Sequence, residues 1–445
     1  MSELPVVVIG AGPVGLAAAA ELVERGIEPL VLERATAAGA SVSQWGHVRL
    51  FSRWGEVTAP AASRLLRRTG WQHPDEDSYP TGADWVERYL RPLAAELGSR
   101  VRLGVDVVGV ARKGRDRVSD TDRAHRPLVA YVRTGSGTEA RIDAGAVIDA
   151  SGTWTTPNPL GADGLPAVGE LAAADRITYR IPDLSGEAVS RRYAGKRIAV
   201  AGSGHSALTA LLGFDNLAAE HPGTTVTWLL RRDEFGNTFG GGDADELPAR
   251  GALGKRAEAA VTGGRISVMT GFRAERVLRE RDGRLTLAST DGRELSEVDE
   301  VITLTGFRTE LSWLSEVRLE LDPTLQAPVA LAPLIDPNVH SCGTVYPHGV
   351  RELTHPEPGV YLAGMKSYGR APTFLALTGY EQVRSIAAAL AGDTASAERV
   401  ELTLPETGVC SGAGALALDG DTSAGREAPV ATEAQAGNTR QPSCA

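Results

Sequence analysis

Residues 6–33 read VVVIGAGPVGLAAAAELVERGIEPLVLE, and this stretch decides the fold. Val6 to Ile9 is an unbroken β-branched run, the pattern of a parallel strand buried on both faces. Gly10, Gly12 and Gly15 follow in the spacing G-x-G-x-x-G, with Pro13 and Val14 between them. Leu16 to Arg25 is alanine-rich and helical by propensity, and Gly26 ends that helix. Pro29 to Leu32 reads as a second strand, closed by Glu33 and Arg34. Gly10 permits a tight turn, Gly12 lets backbone approach a pyrophosphate, and Gly15 lets helix and strand pack closely. The helix N-terminus attracts the phosphates. A carboxylate at position 33 suits ribose hydroxyls and repels a 2′-phosphate, so this site reads as one for FAD or NAD rather than NADP.

The pattern recurs at mid-chain. Lys196 to Ala201 reads as a strand, and Gly202, Ser203, Gly204, His205, Ser206 and Ala207 give G-x-G-x-x-A. A helix starts at His205, and Thr224 to Leu230 is the next strand. It ends in Arg231-Arg232 instead of an acid. Guanidinium groups clamp a 2′-phosphate and stack on adenine, so the second site reads as NADPH, with Arg231 the first choice and Arg232 beside it.

Two such motifs predict an α/β chain with two Rossmann-like dinucleotide-binding domains, one holding flavin and the other delivering hydride. Val147 to Trp154, with Ser151 and Gly152 at its turn, and Val301 to Phe307, with Gly306, repeat one strand-to-turn design and read as the segments that pass between domains. Gly359 to Met365, with Gly364 and Met365 at its end, is a further strand-to-loop element, and Pro372 to Leu390 reads as a helix. The expected FAD domain is therefore discontinuous, residues 1–160 and 325–400, with the NADPH domain, 190–320, inserted. Residues 110–128 read as a loop or hairpin insertion, and 411–445 as a low-complexity tail expected to be disordered.

With 46 Lys+Arg against 56 Asp+Glu, the net charge of −10 disfavours nucleic acid and anionic membrane surfaces as partners. No run approaches the length of a membrane span, and no secretory leader is recognisable at the N-terminus. Three cysteines make no disulfide framework. A cytoplasmic enzyme acting on a small molecule with NADPH is expected, a homodimer being common for such proteins. No metal-ligand spacing stands out.

GAGPVG, DASGTW, GSGHSA, LTGF and GVYLAG fall in an order that resembles the flavin-containing monooxygenases and their relatives with two dinucleotide-binding domains. More narrowly, WGHVRLFS (45–52), LIDPNVHSCGTVYPHG (334–349), MKSYGRAPTF (365–374) and LPETGVCS (404–411) are similar to flavoproteins encoded in bacterial arsenic-resistance gene clusters. The resemblance implies FAD, NADPH and a substrate such as a trivalent arsenical. The F-x-G-x-x-x-H fingerprint of many Baeyer–Villiger relatives is absent. Gly39 to Trp45 stands where G-G-x-W is expected.

The second half-reaction is left open by the residues. Neither C-x-x-C nor C-x-x-x-x-C occurs, which disfavours an internal dithiol relay. Cys342, between His340 and His348, is the candidate catalytic thiol, although a small buried hydrophobe is the reading favoured for it. Cys410 and Cys444 form a possible thiol pair. Trp45, His47 and Arg49 are candidates for the isoalloxazine pocket, as are Lys366, Tyr368 and Arg370. Gly240 to Gly242 reads as either a lid over the nicotinamide or a plain surface loop. A monooxygenase-like enzyme is the leading expectation. An oxygen-independent reductase of a quinone, disulfide or thiol-bound metalloid is the alternative, and a flavin-bound redox sensor the third.

Overall fold

Every residue of the first strand, β1 (Val6–Ile9), is buried, because parallel neighbours flank it and other elements cover both faces. The computed structural model describes residues 4–235, 238–245, 247–339, 348–372 and 374–402. β2 (Pro29–Glu33) pairs with β1, and β3 (Val101–Leu103) pairs with β2. β4 (Val105–Arg112), β5 (Leu128–Thr134) and β6 (Glu139–Ala144) form an antiparallel meander. The patternless segment expected at 110–128 is thus the hairpin connection between β4 and β5. β7 (Ala146–Asp149) then returns to pair with β1 on its other side.

The second sheet is assembled the same way. β8 (Ile177–Thr178), β9 (Arg197–Ala201), β10 (Thr225–Leu229) and β11 (Ser267–Met269) are followed by a second meander: β12 (Ala274–Arg279), β13 (Leu285–Ser289) and β14 (Glu294–Val298). β15 (Glu300–Thr303) closes the sheet in the order β11-β10-β9-β15-β8. β16 (Val360–Leu362) then rejoins the first sheet, whose order is β16-β7-β1-β2-β3. Strands from both ends of the described chain therefore share one sheet.

Two helix starts differ from expectation. The first helix spans Pro13–Glu24, three residues earlier than the alanine run suggested. Proline suits this position, since its missing N–H costs nothing in the first turn. The last long helix, Ala376–Leu390, begins four residues later than expected. These two helices pack together. Leu16 and Leu22 are fully buried between them and the sheet, and burial of each contributes about 1.5–3 kcal/mol.

The two chain crossings between the sheets are tied side by side. Trp154 and Phe307 lie with ring centroids 4.8 Å apart. Asn158 Nδ2 donates to Thr305 O at 2.9 Å, and Arg308 Nε donates to Asn158 Oδ1 at 2.7 Å. Behind them the fully buried Glu170 accepts from the Leu160 and Ala167 amides and the Tyr179 hydroxyl, at 2.8, 2.7 and 2.6 Å. Burying a carboxylate is tolerable only with its lone pairs occupied in this way, so Glu170 fixes the path of the crossing. No helix among the described residues is long and apolar enough to cross a membrane.

Candidate active site

The three glycines after β1 do what their spacing requires. Gly10 has φ +99°, and a Cβ there would stand 2.9 Å from Ala150 O at the end of β7. A Cβ on Gly15 would stand 1.9 Å from Gly10 O, so only glycine lets the helix sit against the turn. Gly12 is the opposite case: its Cβ position faces open space. That opening, beside the N-terminus of the Pro13–Glu24 helix, fits a pyrophosphate. Glu33 Oε2 accepts from Ala11 N at 2.8 Å and Oε1 from Ala35 N at 2.9 Å. Two amides fix the carboxylate while leaving lone pairs for a ribose. The residues present fit FAD. Arg34, next to Glu33, is exposed.

The second motif is built alike. Gly202 has φ +127°, and its Cβ would stand 2.3 Å from Leu304 O. Trp228 Nε1 donates to Gly202 O at 2.7 Å and pins the turn. Gly204 faces open space and caps the helix His205–Glu220, whose Ala207 is fully buried against the sheet. Arg231 is exposed, with Nη1 donating to Ala162 O at 3.1 Å. Burial, then the charge of Arg231, pulls the Arg232 guanidinium below its ordinary value. Two neighbouring guanidinium groups fit a dianionic phosphate.

Between the motifs lies a cavity of about 510 Å³. Pro13, Val14, Ala150, Gly152, Gly364 and Met365 supply its wall from the first sheet, and His205 comes from the second motif. Trp45, Arg49, Phe51 and Trp85 close another side, and Phe374 to Ala376 a third. The residues singled out in five distant stretches of sequence thus meet in one space. Ser151 lies next to it: its N–H donates to Asp149 Oδ1 at 3.0 Å, and its hydroxyl accepts from Lys366 Nζ at 3.1 Å. Gly306, with φ +92°, and Ser203 and Ser206 are not among the lining residues.

Several expectations need correction. Lys366 and Tyr368 do not face the cavity. The tight turn Gly364–Tyr368 carries them inward, where Lys366 is buried 3.5 Å from Asp149 Oδ2 and Tyr368 packs edge-on to Phe374. Arg370 is exposed and donates to Gln326. His47, although between two lining residues, does not line the cavity. The Gly240–Gly242 segment is not loose: Gly251 and Gly254, on the helix Pro248–Thr262, have Cβ positions 2.0 and 1.7 Å from Gly242 O and Phe239 O, so that segment is packed directly on the helix. Cys342, Cys410 and Cys444 lie outside the described residues. Among the described residues no cluster of three or more potential ligands can hold a metal.

Sequence reasoning missed Leu247 and Arg250, which enter the cavity from the Pro248–Thr262 helix and its cap. Arg250 is 3% exposed, and its Nε donates to Asp245 Oδ2 at 2.8 Å. His205 meets Phe51 edge-on at 5.3 Å between ring centroids. Burial, and next the charge of Arg250, push its pKa from 6.5 down to about 4. His205 is therefore a neutral imidazole at physiological pH, able to donate and accept. His355, also pushed down to about 4 by burial, behaves alike. Both pKa values are lower in the folded than in the unfolded chain, so the unfolded chain takes up protons first. Stability is complete above about pH 6.5 and falls as pH drops toward about 4, by on the order of 1–3 kcal/mol per group. His205→Gln is expected to flatten that acid loss measurably in thermal unfolding followed from pH 7 to 4.

The comparisons with known proteins agree with this architecture. A family model described as pyridine nucleotide-disulphide oxidoreductase matches residues 7–332. The chain is 27% identical over 309 residues to ferredoxin–NADP reductase 1 of Cupriavidus necator, covering 68% of this chain and 71% of that one. It is 28% identical over 240 residues to the indole-3-pyruvate monooxygenase YUCCA1 of Oryza sativa subsp. japonica, spanning about half of each (53% and 51%). The fold is similar to that of bacillithiol disulfide reductase from Bacillus cereus, with a TM-score of 0.65 at 20% identity, covering 88% of this chain and 99% of that one. The chain belongs to the pyridine nucleotide-disulphide oxidoreductase family and is an oxidoreductase that uses FAD and a nicotinamide dinucleotide.

Proposed function

We propose that this is an NADPH-dependent, monooxygenase-like flavoenzyme acting on a small soft substrate, a trivalent arsenical being the substrate that the sequence resemblance favours. The observation that carries the reading is a cavity whose described lining residues come from both dinucleotide motifs. FAD is held by Gly10, Gly12, Gly15 and Glu33, on residues 1–160 and 325–400. NADPH is held by Gly202, Gly204, Arg231 and Arg232, on residues 190–320. Bound FAD supplies the two-electron relay between nicotinamide and acceptor. The protein's part would be to hold both dinucleotides at this cavity, to exclude water with Trp45, Phe51, Trp85 and Phe374, and to present the neutral His205 as a hydrogen-bonding group.

The overall reaction balances with oxygen as co-substrate. NADPH and a proton supply two electrons and the substrate two more. One oxygen atom leaves as water and the other joins the substrate. A purified holoenzyme is expected to consume one NADPH and one O₂ per trivalent arsenical oxidised. Replacing Cys342, Cys410 and Cys444 with Ser should leave that rate within about twofold. Anaerobic turnover on a disulfide or quinone, lost in the Ser variant, is the result that replaces this reading with the reductase. The reductase is kept as the second reading because the family description itself names disulphide chemistry.

A further inference from the structure

The ends of β7 and β16 bring together a buried charged pair and an exposed hydroxyl. The two strands are parallel neighbours, with Leu362 beside Asp149 and Ala363 N donating to Asp149 O at 2.9 Å. The chain therefore leaves the sheet twice at one edge, side by side. Gly364, with φ +69°, opens the tight turn that carries Lys366 inward. Asp149 is fully buried and Lys366 is 2% exposed, with Nζ 3.5 Å from Asp149 Oδ2. Nζ also lies 5.2 Å from the centre of the Trp313 ring and donates to Ser151 Oγ at 3.1 Å. Its three N–H groups thus have three neighbours: a carboxylate, a ring face and a hydroxyl. Ser151 is fixed from a second side, its N–H donating to Asp149 Oδ1 at 3.0 Å. Ser151 is nevertheless exposed. Its Cα lies 3.0 Å from where a Cβ on Gly10 would stand, so it borders the first glycine turn.

A buried ion pair of this kind contributes little to stability compared with apolar side chains of the same volume. Its effect on Ser151 is specific. An ammonium only donates, so Ser151 Oγ accepts from it, and the hydroxyl's own hydrogen is left to donate elsewhere. The adjoining positive charge polarises that O–H and strengthens it as a donor. A hydroxyl with a neutral neighbour can serve either way; this one is set as a donor beside a turn built for a phosphate. We propose that Lys366 is a positioning residue, which orients and polarises the Ser151 hydroxyl so that it donates to a pyrophosphate oxygen of FAD. The inference rests on the reading of the Gly10–Gly15 motif as the FAD site. It adds to that motif a partner 215 residues further along the chain than Ser151.

The test titrates FAD into the full-length apoprotein and follows the change in flavin fluorescence. Ser151→Ala and Lys366→Met are each expected to weaken FAD about 10-fold, the loss of one charge-assisted hydrogen bond. The double variant should lie within about twofold of either single one, because Lys366 acts through Ser151. Lys366→Met leaves the Asp149 carboxylate buried without its cation. The same cycle is therefore repeated with Asp149→Asn added to Lys366→Met, and calorimetry of the apoproteins checks folding. The absorption maximum of bound flavin should not move in any of them. Losses that multiply to about 100-fold in the double variant mean that the two residues act independently, and overturn the positioning role. A shifted flavin absorption maximum in Ser151→Ala puts the acceptor on the ring, and overturns the phosphate assignment. Gly12→Ala, in the same titration, tests the reading underneath. FAD affinity lost in Gly12→Ala but kept in Ser151→Ala overturns the inference alone, and affinity kept in both overturns the FAD-site reading with it.

Discussion

Gly15→Ala is expected to give a chain that is purified without flavin, or with flavin held at least about 100-fold more weakly. The added Cβ would stand 1.9 Å from Gly10 O, a backbone atom with no freedom to rotate away. Either the helix Pro13–Glu24 moves off the sheet or the turn at Gly10 opens, and both disturb the same pyrophosphate cradle. Overpacking of this kind costs about 1–3 kcal/mol in stability, so the apoprotein should also melt several degrees lower. Gly12→Ala provides the contrast. Its Cβ meets nothing within 4 Å, so thermal stability without flavin should be unchanged while FAD affinity falls. Flavin-to-protein absorbance ratios and calorimetry of the apoproteins separate the two. Full flavin content in Gly15→Ala would remove the first motif from the FAD site.

Replacing both Arg231 and Arg232 with Gln is expected to raise the KM for NADPH by about 10–100-fold and to leave that for NADH within about twofold. The magnitude follows from losing charged hydrogen bonds to a 2′-phosphate, about 1.5–3 kcal/mol. Arg231 is exposed and donates to the carbonyl of Ala162, so its removal disturbs little of the fold. The elevated cost of charging Arg232 beside Arg231 is relieved by an anion. The single replacements should divide the effect, and steady-state flavin reduction with either dinucleotide measures it. A matched rise for NADH would mean that the pair supports the fold rather than the phosphate.

The parts of the site that the sequence revealed are those whose chemistry is local. A glycine needed for a tight turn, an acid at a strand end and a guanidinium pair are each recognisable within about thirty residues. That made β1, β2, β9 and β10 and the glycine turns after β1 and β9 legible before the fold. The turns at Gly152 and Gly306 were legible as repeats of one strand-to-turn design, and the one at Gly364 as a further strand-to-loop element. Arg250 was not, because nothing local distinguishes a lysine- and arginine-bearing helix that faces water from one that turns a single arginine inward. Its significance arises only when Asp245, His205 and the cavity are brought together. Lys366 failed in the opposite sense. Its neighbours Gly364 and Met365 do line the cavity, but a tight helical turn rotates successive side chains, and the ammonium ends against Asp149 and over the Trp313 ring. The early start at Pro13 escaped a propensity reading because proline is favourable only at a helix's first turn.

In the proposed reaction, electrons pass from NADPH through FAD to oxygen and a soft substrate at one cavity. The most direct measurement reduces the holoenzyme anaerobically with one equivalent of NADPH, then mixes it with oxygenated buffer, with and without phenylarsine oxide. Flavin absorbance is followed in time, and hydrogen peroxide and oxidised arsenical are quantified at the end. The expected result is flavin reduction by NADPH, reoxidation by oxygen, and, with the arsenical present, less than one peroxide per NADPH, the shortfall matched by an equal amount of oxidised arsenical. Reduced flavin that resists oxygen, or one full peroxide per NADPH whatever acceptor is present, would contradict it.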